Sequence, residues 1–224
     1  MTVGDSSSAS GLAQRYFRQT AELFGNNLYL DSMPDLSDQD GSLTLDSFRK
    51  QICKCAKCPL GRTRIKFVFG VGDPHADLVF VGEAPGRDED LQGEPFVGRA
   101  GQLLDKILAA IKRSRDEVYI CNILKCRPPD NRTPSQDEIE SCIPFLEQQL
   151  KIIKPKLIVA LGATSAHALL KVKTPLGKLR SQKWKWKNFD LVATYHPAAL
   201  LRNPAFKRPA WEDFQWIDKL IAEV

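Results

Sequence analysis

Apolar positions recur with two different periods along this chain, and the alternation between them predicts its architecture. Asp77–Gly82 (DLVFVG) is an apolar run too short for a helix and reads as a buried strand. Gly98 to Arg113 (GRAGQLLDKILAAIKR) places Leu103, Leu104, Ile107, Leu108 and Ile111 on one helical face. Glu117–Asn122 predicts a second strand, and Ser135 to Ile153 a helix opened by a capping box of Ser135 and Glu138. Lys156–Gly162 (KLIVALG) predicts a third strand, followed by a short helix through Ala166–Leu170. Lys183–Asn188 and Asp190–Tyr195 form a predicted hairpin turning at Asn188, and a helix near Trp211–Glu223 ends the pattern.

Strands alternating with helices imply an α/β fold, here a single three-layer α/β/α domain with a mainly parallel central sheet. That domain is expected over residues 44–224, with an N-terminal helical and cysteine-bearing extension. Residues 1–43 are expected to hold a disordered Ser-rich start, a short amphipathic helix within GLAQRYFRQTAELFG and an acidic linker. Thr44 or Asp46 would cap a helix running into CKCAKCP.

Composition narrows the class. At 224 residues, with 43% hydrophobic and 26% charged, the chain can bury one sizeable core, and it is neither disordered throughout, collagen-like nor a disulfide miniprotein. No apolar run approaches the roughly 20 residues of a membrane helix, and MTVGDSSSASGLAQ lacks a secretory signal's basic and apolar regions. An intracellular protein, cytoplasmic or nucleoid-associated, is expected. The net charge of +5 divides into −4 over residues 1–45 and +9 over the rest. A basic body suggests an anionic partner, nucleic acid first.

In parallel sheets, ligands bind outside the carboxyl ends of the strands, and the unusual residues collect there. Gly82-Glu-Ala-Pro-Gly86, Asn122-Ile-Leu-Lys125-Cys126 and Tyr195-His196-Pro197 each end a predicted strand. Glu83 directly follows a buried strand, where a free carboxylate is costly. The acidic glycine-rich loop is neither GxGxxG nor a Walker A, which argues against a nucleotide cofactor; its Arg87, Asp88 and Asp90 read as solvated turn residues. His167 reads as helix packing and His75 as exposed. Lys183-Trp-Lys-Trp-Lys187 is either a phosphate contact or an edge strand with Trp inward and Lys outward.

Of six cysteines, Cys53, Cys55 and Cys58 are clustered, Cys126 and Cys142 lie far downstream, and Cys121 sits inside a predicted strand. One close pair plus two distant thiolates suits zinc or an iron–sulfur cluster, and the scatter favours the cluster. Cys121 reads as core packing.

Together, GEAPGRDEDLQGEPFVGRAGQLLD, NILKCRPPDNRTP and YHPAALLR resemble the iron–sulfur-containing family 4 uracil-DNA glycosylases, from about Arg49 to the C-terminus. The resemblance implies a monofunctional enzyme that flips uracil out of DNA and hydrolyses its glycosidic bond, leaving an abasic site for base excision repair. It implies a uracil pocket of Glu83, Ala84, Phe96, Asn122 and His196, with Phe96 stacking on the base, Asn122 reading its edge and His196 facing O2. Glu83 and Glu89 become the carboxylates available to position water or stabilise the cation, with Glu89 near uracil C5. Leu200, Leu201 and Arg202 correspond to a minor-groove loop whose apolar wedge fills the gap left by the flipped base. Cys55, Cys58, Cys126 and Cys142 would hold a [4Fe-4S] cluster, zinc being the lesser alternative. Ala84 stands where other uracil glycosylases carry a water-activating Asp, as it does throughout family 4. The expected partner is uracil-containing DNA; the enzyme is expected to be monomeric, with an N-terminal extension that binds a repair or replication partner. The rival reading is a non-catalytic nucleic-acid-binding module with a structural zinc or iron–sulfur site.

Overall fold

A computed structural model describes residues 43–222. The expected N-terminal helix and acidic linker lie outside the described residues. The chain enters through α1 (Leu45–Ile52), whose first turn is closed by the Thr44 side chain in a capping box with Ser47. Thr44 is thus the cap, and Asp46 sits in the first turn.

Six strands form one sheet: β1 (Val71–Gly72), β2 (Leu78–Gly82), β3 (Tyr119–Asn122), β4 (Leu157–Leu161), β5 (Trp184–Trp186) and β6 (Phe189–Thr194). Their spatial order is β1-β3-β2-β4-β6-β5. The four central strands run parallel, and the short edge strands β1 and β5 are antiparallel to their neighbours. All five residues of β2 and all five of β4 are buried, as a strand covered on both faces requires.

Alternate residues of these strands feed two cores. Leu78, Phe80, Ile120, Val159 and Val192 pack with Leu104 and Leu108 of α4 (Arg99–Ala110) and with Phe214 and Ile217 of a C-terminal helix, Lys207–Ala222. On the opposite face, Gln149 of α5 (Gln136–Ile153) donates to the Tyr119 hydroxyl at 3.2 Å. Ser165 of α6 (Ala163–Leu170) donates to the Val81 carbonyl at 2.7 Å. The expected three layers are therefore present, and the Ser135–Glu138 capping box opens α5.

The structure resolves the lysine–tryptophan stretch in favour of the edge strand. Trp186 is buried and Lys185 exposed; Lys183 and Lys185 pair with Asp190, and Lys187 with Glu147. These lysines neutralise neighbouring carboxylates and blunt a sheet edge. Periodicity alone missed the short elements: α2 (Leu60–Thr63), α3 (Arg87–Gln92), β1, α7 (Leu176–Leu179) and α8 (Pro197–Arg202). None is long enough to show a hydrophobic period.

Candidate active site

The carboxyl ends of β2, β3, β4 and β6 open into a cavity of about 680 Å³. Glu83, Ala84, Phe96, Asn122 and His196 all line it, as does Glu89, so the structure brings the predicted pocket residues together. Gly82 and Asn122 are register partners across β2 and β3, which sets the two strand-end loops side by side. A Cβ at Gly82 would fall 2.3 Å from the Asn122 Oδ1 and 2.7 Å from the Phe96 ring. Glycine is required there because two pocket side chains occupy the space. Gly82→Ala should lower uracil-excision activity by about 10- to 100-fold while leaving the fold intact, as read by single-turnover rates alongside thermal melting.

Phe96 adopts a left-handed backbone, φ 56°. This conformation is uncommon for an aromatic residue and needs support from its surroundings. Support comes from both sides. Glu89 accepts from the Val97 and Gly98 amides at 3.0 Å with one oxygen and from the Gly86 amide at 3.1 Å with the other. Arg115 donates to the Phe96 carbonyl at 3.2 Å and to the Pro95 carbonyl, and pairs with Asp105 at 3.0 Å. Gly101 of α4 lets the helix close over this bend, since a Cβ there would lie 1.7 Å from the Phe96 carbonyl oxygen. Both Glu89 oxygens thus fasten the loop, whereas the Glu83 carboxylate has no hydrogen bond to protein among the described residues. Asp90, expected to be solvated, is buried and accepts from the Ile65 amide at 2.9 Å. The acidic run is helix α3, one side of which faces inward.

His196 is the N-cap of α8, and its Nδ1 accepts from the Ala198 amide at 3.1 Å. An accepting Nδ1 puts the proton of a neutral ring on Nε2. Burial, assisted by the Arg202 charge, pushes the His196 pKa down to about 4, so the ring is neutral at physiological pH. Its ring lies 5.3 Å from that of Phe96, inclined by 28°. Behind it, Asp213 accepts from Thr194 at 2.5 Å and pairs with Arg180 at 2.7 Å; Arg180 also covers the Tyr195 ring at 4.6 Å. This buried network fixes the end of β6. His75 is exposed and His167 hydrogen-bonds the Thr174 carbonyl at 2.7 Å, as packing requires.

The expected minor-groove loop is helical over Pro197–Arg202, and its two leucines differ. Leu200 is buried in the fold, so it cannot act as a wedge. Leu201 projects with 40% of its surface exposed, and Arg202 lies on the cavity rim. Sequence reasoning missed Asn131 and Phe206, which also line the cavity; Tyr195, singled out at its strand end, lines it too. Asn131 sits in the turn Pro129–Asn131 at φ 55°, and its PPDN context signals only a turn.

Cys126, just after β3, and Cys142, on α5, are buried, while Cys55 and Cys58 sit half-buried in the loop after α1. Burial raises the Cys126 thiol pKa and pushes that of Cys142 up to about 11. Arg64 ties the group together, donating to the Cys126 Sγ at 3.2 Å, the Cys55 carbonyl at 2.7 Å and the Cys53 carbonyl at 2.9 Å. Cys121 is fully buried within β3. Among the described residues, no three His, Cys, Asp or Glu side chains converge tightly enough for a single metal ion.

Residues 69–216 match the family model of the uracil DNA glycosylase superfamily. Over 185 residues the chain is 44% identical to the type-4 uracil-DNA glycosylase of Archaeoglobus fulgidus, spanning 79% of this chain and 93% of that one. The type-4 enzyme of Thermotoga maritima is 43% identical over 170 residues, 74% of this chain and 88% of the relative. A type-5 uracil-DNA glycosylase of Pyrobaculum aerophilum is more distant, at 29% over 188 residues, 69% and 83% of the two chains.

Proposed function

The chain belongs to the uracil-DNA glycosylase superfamily, in its type-4 branch, and from that premise we propose how its own residues excise uracil from DNA. The observation that carries the mechanism is the convergence of Phe96, Asn122 and His196 in one cavity at the strand ends. Phe96 presents a ring fixed from both sides of its backbone and stacks on the extruded base. Asn122 donates to uracil O4 and accepts from N3–H; cytosine offers the reverse pattern and leaves both groups unpaired. His196 donates from Nε2 to O2, where negative charge gathers as the glycosidic bond breaks. A neutral donor needs no proton uptake before reaction. Glu83, untied by the protein, positions the water or faces the developing sugar cation. Glu89 is a positioning residue that holds the Phe96 loop. Leu201 fills the vacated stack and Arg202 meets the backbone.

The hydrolysis needs no lyase step, and the product is an abasic site. A uracil-containing oligonucleotide should therefore stay intact after incubation with the enzyme and break at the uracil position only after alkali. No alkali-labile break would defeat the assignment, and the non-catalytic binding module would then stand. DNA repair places the enzyme with the DNA, inside the cell, and we propose that it works there as a monomer.

Cys55, Cys58, Cys126 and Cys142 fit an iron–sulfur cluster as a donor set: four thiols, gathered from three separated segments, with the Arg64 guanidinium on one of them. A single zinc ion needs sulfurs about 2.3 Å from the metal. Zinc sites usually draw their ligands from local spacings, whereas these thiols come from separated segments, which favours a cluster. A cluster held by these cysteines would tie the α1 loop, the segment after β3 and α5 together. Cys142→Ala should abolish the visible absorption of the purified protein and lower its melting temperature, as spectra and calorimetry would show. Retention of the full chromophore would remove Cys142 from the ligand set.

A further inference from the structure

Between the cysteines and the uracil pocket lies a lysine that the mechanism above does not use. Lys125 has no solvent-exposed surface. Its Nζ makes one hydrogen bond, to the backbone carbonyl of Asn122 at 2.8 Å. Its neighbour in the chain is Cys126, assigned above to the cluster, and its backbone lies against the Cys142 thiol. A buried lysine satisfied by one neutral acceptor is costly, and negative charge beside it offsets that cost. Ligating thiolates would provide that charge.

The surrounding backbone makes the position consequential. The Ile123 amide donates to the Gly82 carbonyl at 3.0 Å and the Leu124 amide to the Glu83 carbonyl at 3.1 Å. The Val68 amide donates to the Lys125 carbonyl at 2.9 Å. Residues 122–126 therefore form a short strap, with the base-reading Asn122 at one end and the ligand Cys126 at the other. Lys125 closes the strap on itself by holding the Asn122 carbonyl.

We propose that Lys125 is a positioning residue whose side chain links the cysteine site to Asn122, so that loading of the cluster fixes the group that recognises uracil. The inference rests on the cluster and on the role given to Asn122. Lys125 touches neither the base nor the sugar and acts only through the Asn122 backbone.

The test compares the cluster-loaded wild-type protein with Lys125→Met, which keeps the length and loses the donor, and with Lys125→Arg. Three quantities are measured: the lifetime of the visible chromophore under chelator, the excision rate, and the affinity for a non-hydrolysable 2′-fluorouridine duplex relative to an undamaged one. The proposal expects Lys125→Met to shorten the chromophore lifetime several-fold and to lower the excision rate by about 10- to 100-fold. The preference for the fluorouridine duplex should fall in parallel, with binding to undamaged DNA unchanged. Lys125→Arg, which keeps charge and donor, should recover part of each loss. In an Asn122→Ala background, Lys125→Met should still shorten the chromophore lifetime and cost no further excision rate. A purely structural lysine would lower the rate equally in both backgrounds, and that result overturns the link. Unchanged lifetime and preference in Lys125→Met overturn it also, while leaving the cluster assignment standing. A wild-type protein that carries no iron or sulfide overturns both.

Discussion

Asn122→Ala should lower the rate of uracil excision by about a thousandfold, with binding to undamaged duplex DNA held within a few-fold. The asymmetry follows from where the residue sits. Asn122 is 2% exposed at the end of β3, out of reach of any phosphate, with Gly82 across the register and its Oδ1 at the pocket floor. Affinity for undamaged DNA comes from cationic groups at the rim, and none of these changes. In the proposed arrangement the carboxamide pairs with the uracil edge only once the base has left the stack, so its loss falls on the reacting complex. Asn122→Asp separates the two halves of recognition. The carboxylate cannot donate to O4 and presents charge to it, while still able to accept from N3–H. It should be at least as inactive as the alanine variant, despite near-identical shape. Single-turnover excision and binding to an undamaged duplex are the required measurements. Equal activity of Asn122→Asp and wild type would remove the carboxamide from base reading.

Much of this architecture is legible in the chain because its central strands are buried on both faces. The runs LVFVG and LIVAL can only be interior strands or pieces of a buried helix, and their length decides for strands. The helix Gln136–Ile153 begins where Ser135 and Glu138 say it should. Local rules fail where the structure is governed by distant contacts. Nothing near Asp90 in sequence shows that the amides of Ile65 and Lys66 will come to it and draw it inside. The positive φ of Phe96 is equally hidden, because the groups imposing it are Glu89, Arg115 and the bare α-carbon of Gly101. Leu200 and Leu201 look alike in sequence; only the helical turn of Pro197–Arg202 sends one inward and the other out. The pocket's composition could thus be read from strand ends, whereas which carboxylate is tied to the loop depends on amides that only folding brings to Glu89.

His196→Ala should lower excision by about 10²- to 10³-fold, the cost of removing one donor to a developing oxyanion. The pH profile of the wild-type enzyme tests how that donor works. An imidazolium general acid with an ordinary pKa would make the rate climb as pH falls through about 6.5. With the pKa held down to about 4 by burial and Arg202, His196 should instead contribute no slope between about pH 5 and pH 8. Below pH 4 the ring gains a proton on Nδ1, loses its bond from the Ala198 amide, and the rate should fall. The same depressed pKa acts on stability, with a definite sign. The folded protein holds the ring neutral while the unfolded chain protonates it near pH 6.5, so this group's contribution is full above that value. It drains away as pH falls from about 6.5 to about 4. His196→Ala removes this term, so the variant should lose less stability than wild type between pH 7 and pH 4.5 in parallel urea melts. A wild-type rate that rises about threefold from pH 7 to pH 6 and levels off below, or identical pH dependence of the two melts, would show that the imidazole is not held neutral. Its partners at Ala198 and Phe96 would then have to be placed differently from the arrangement described above.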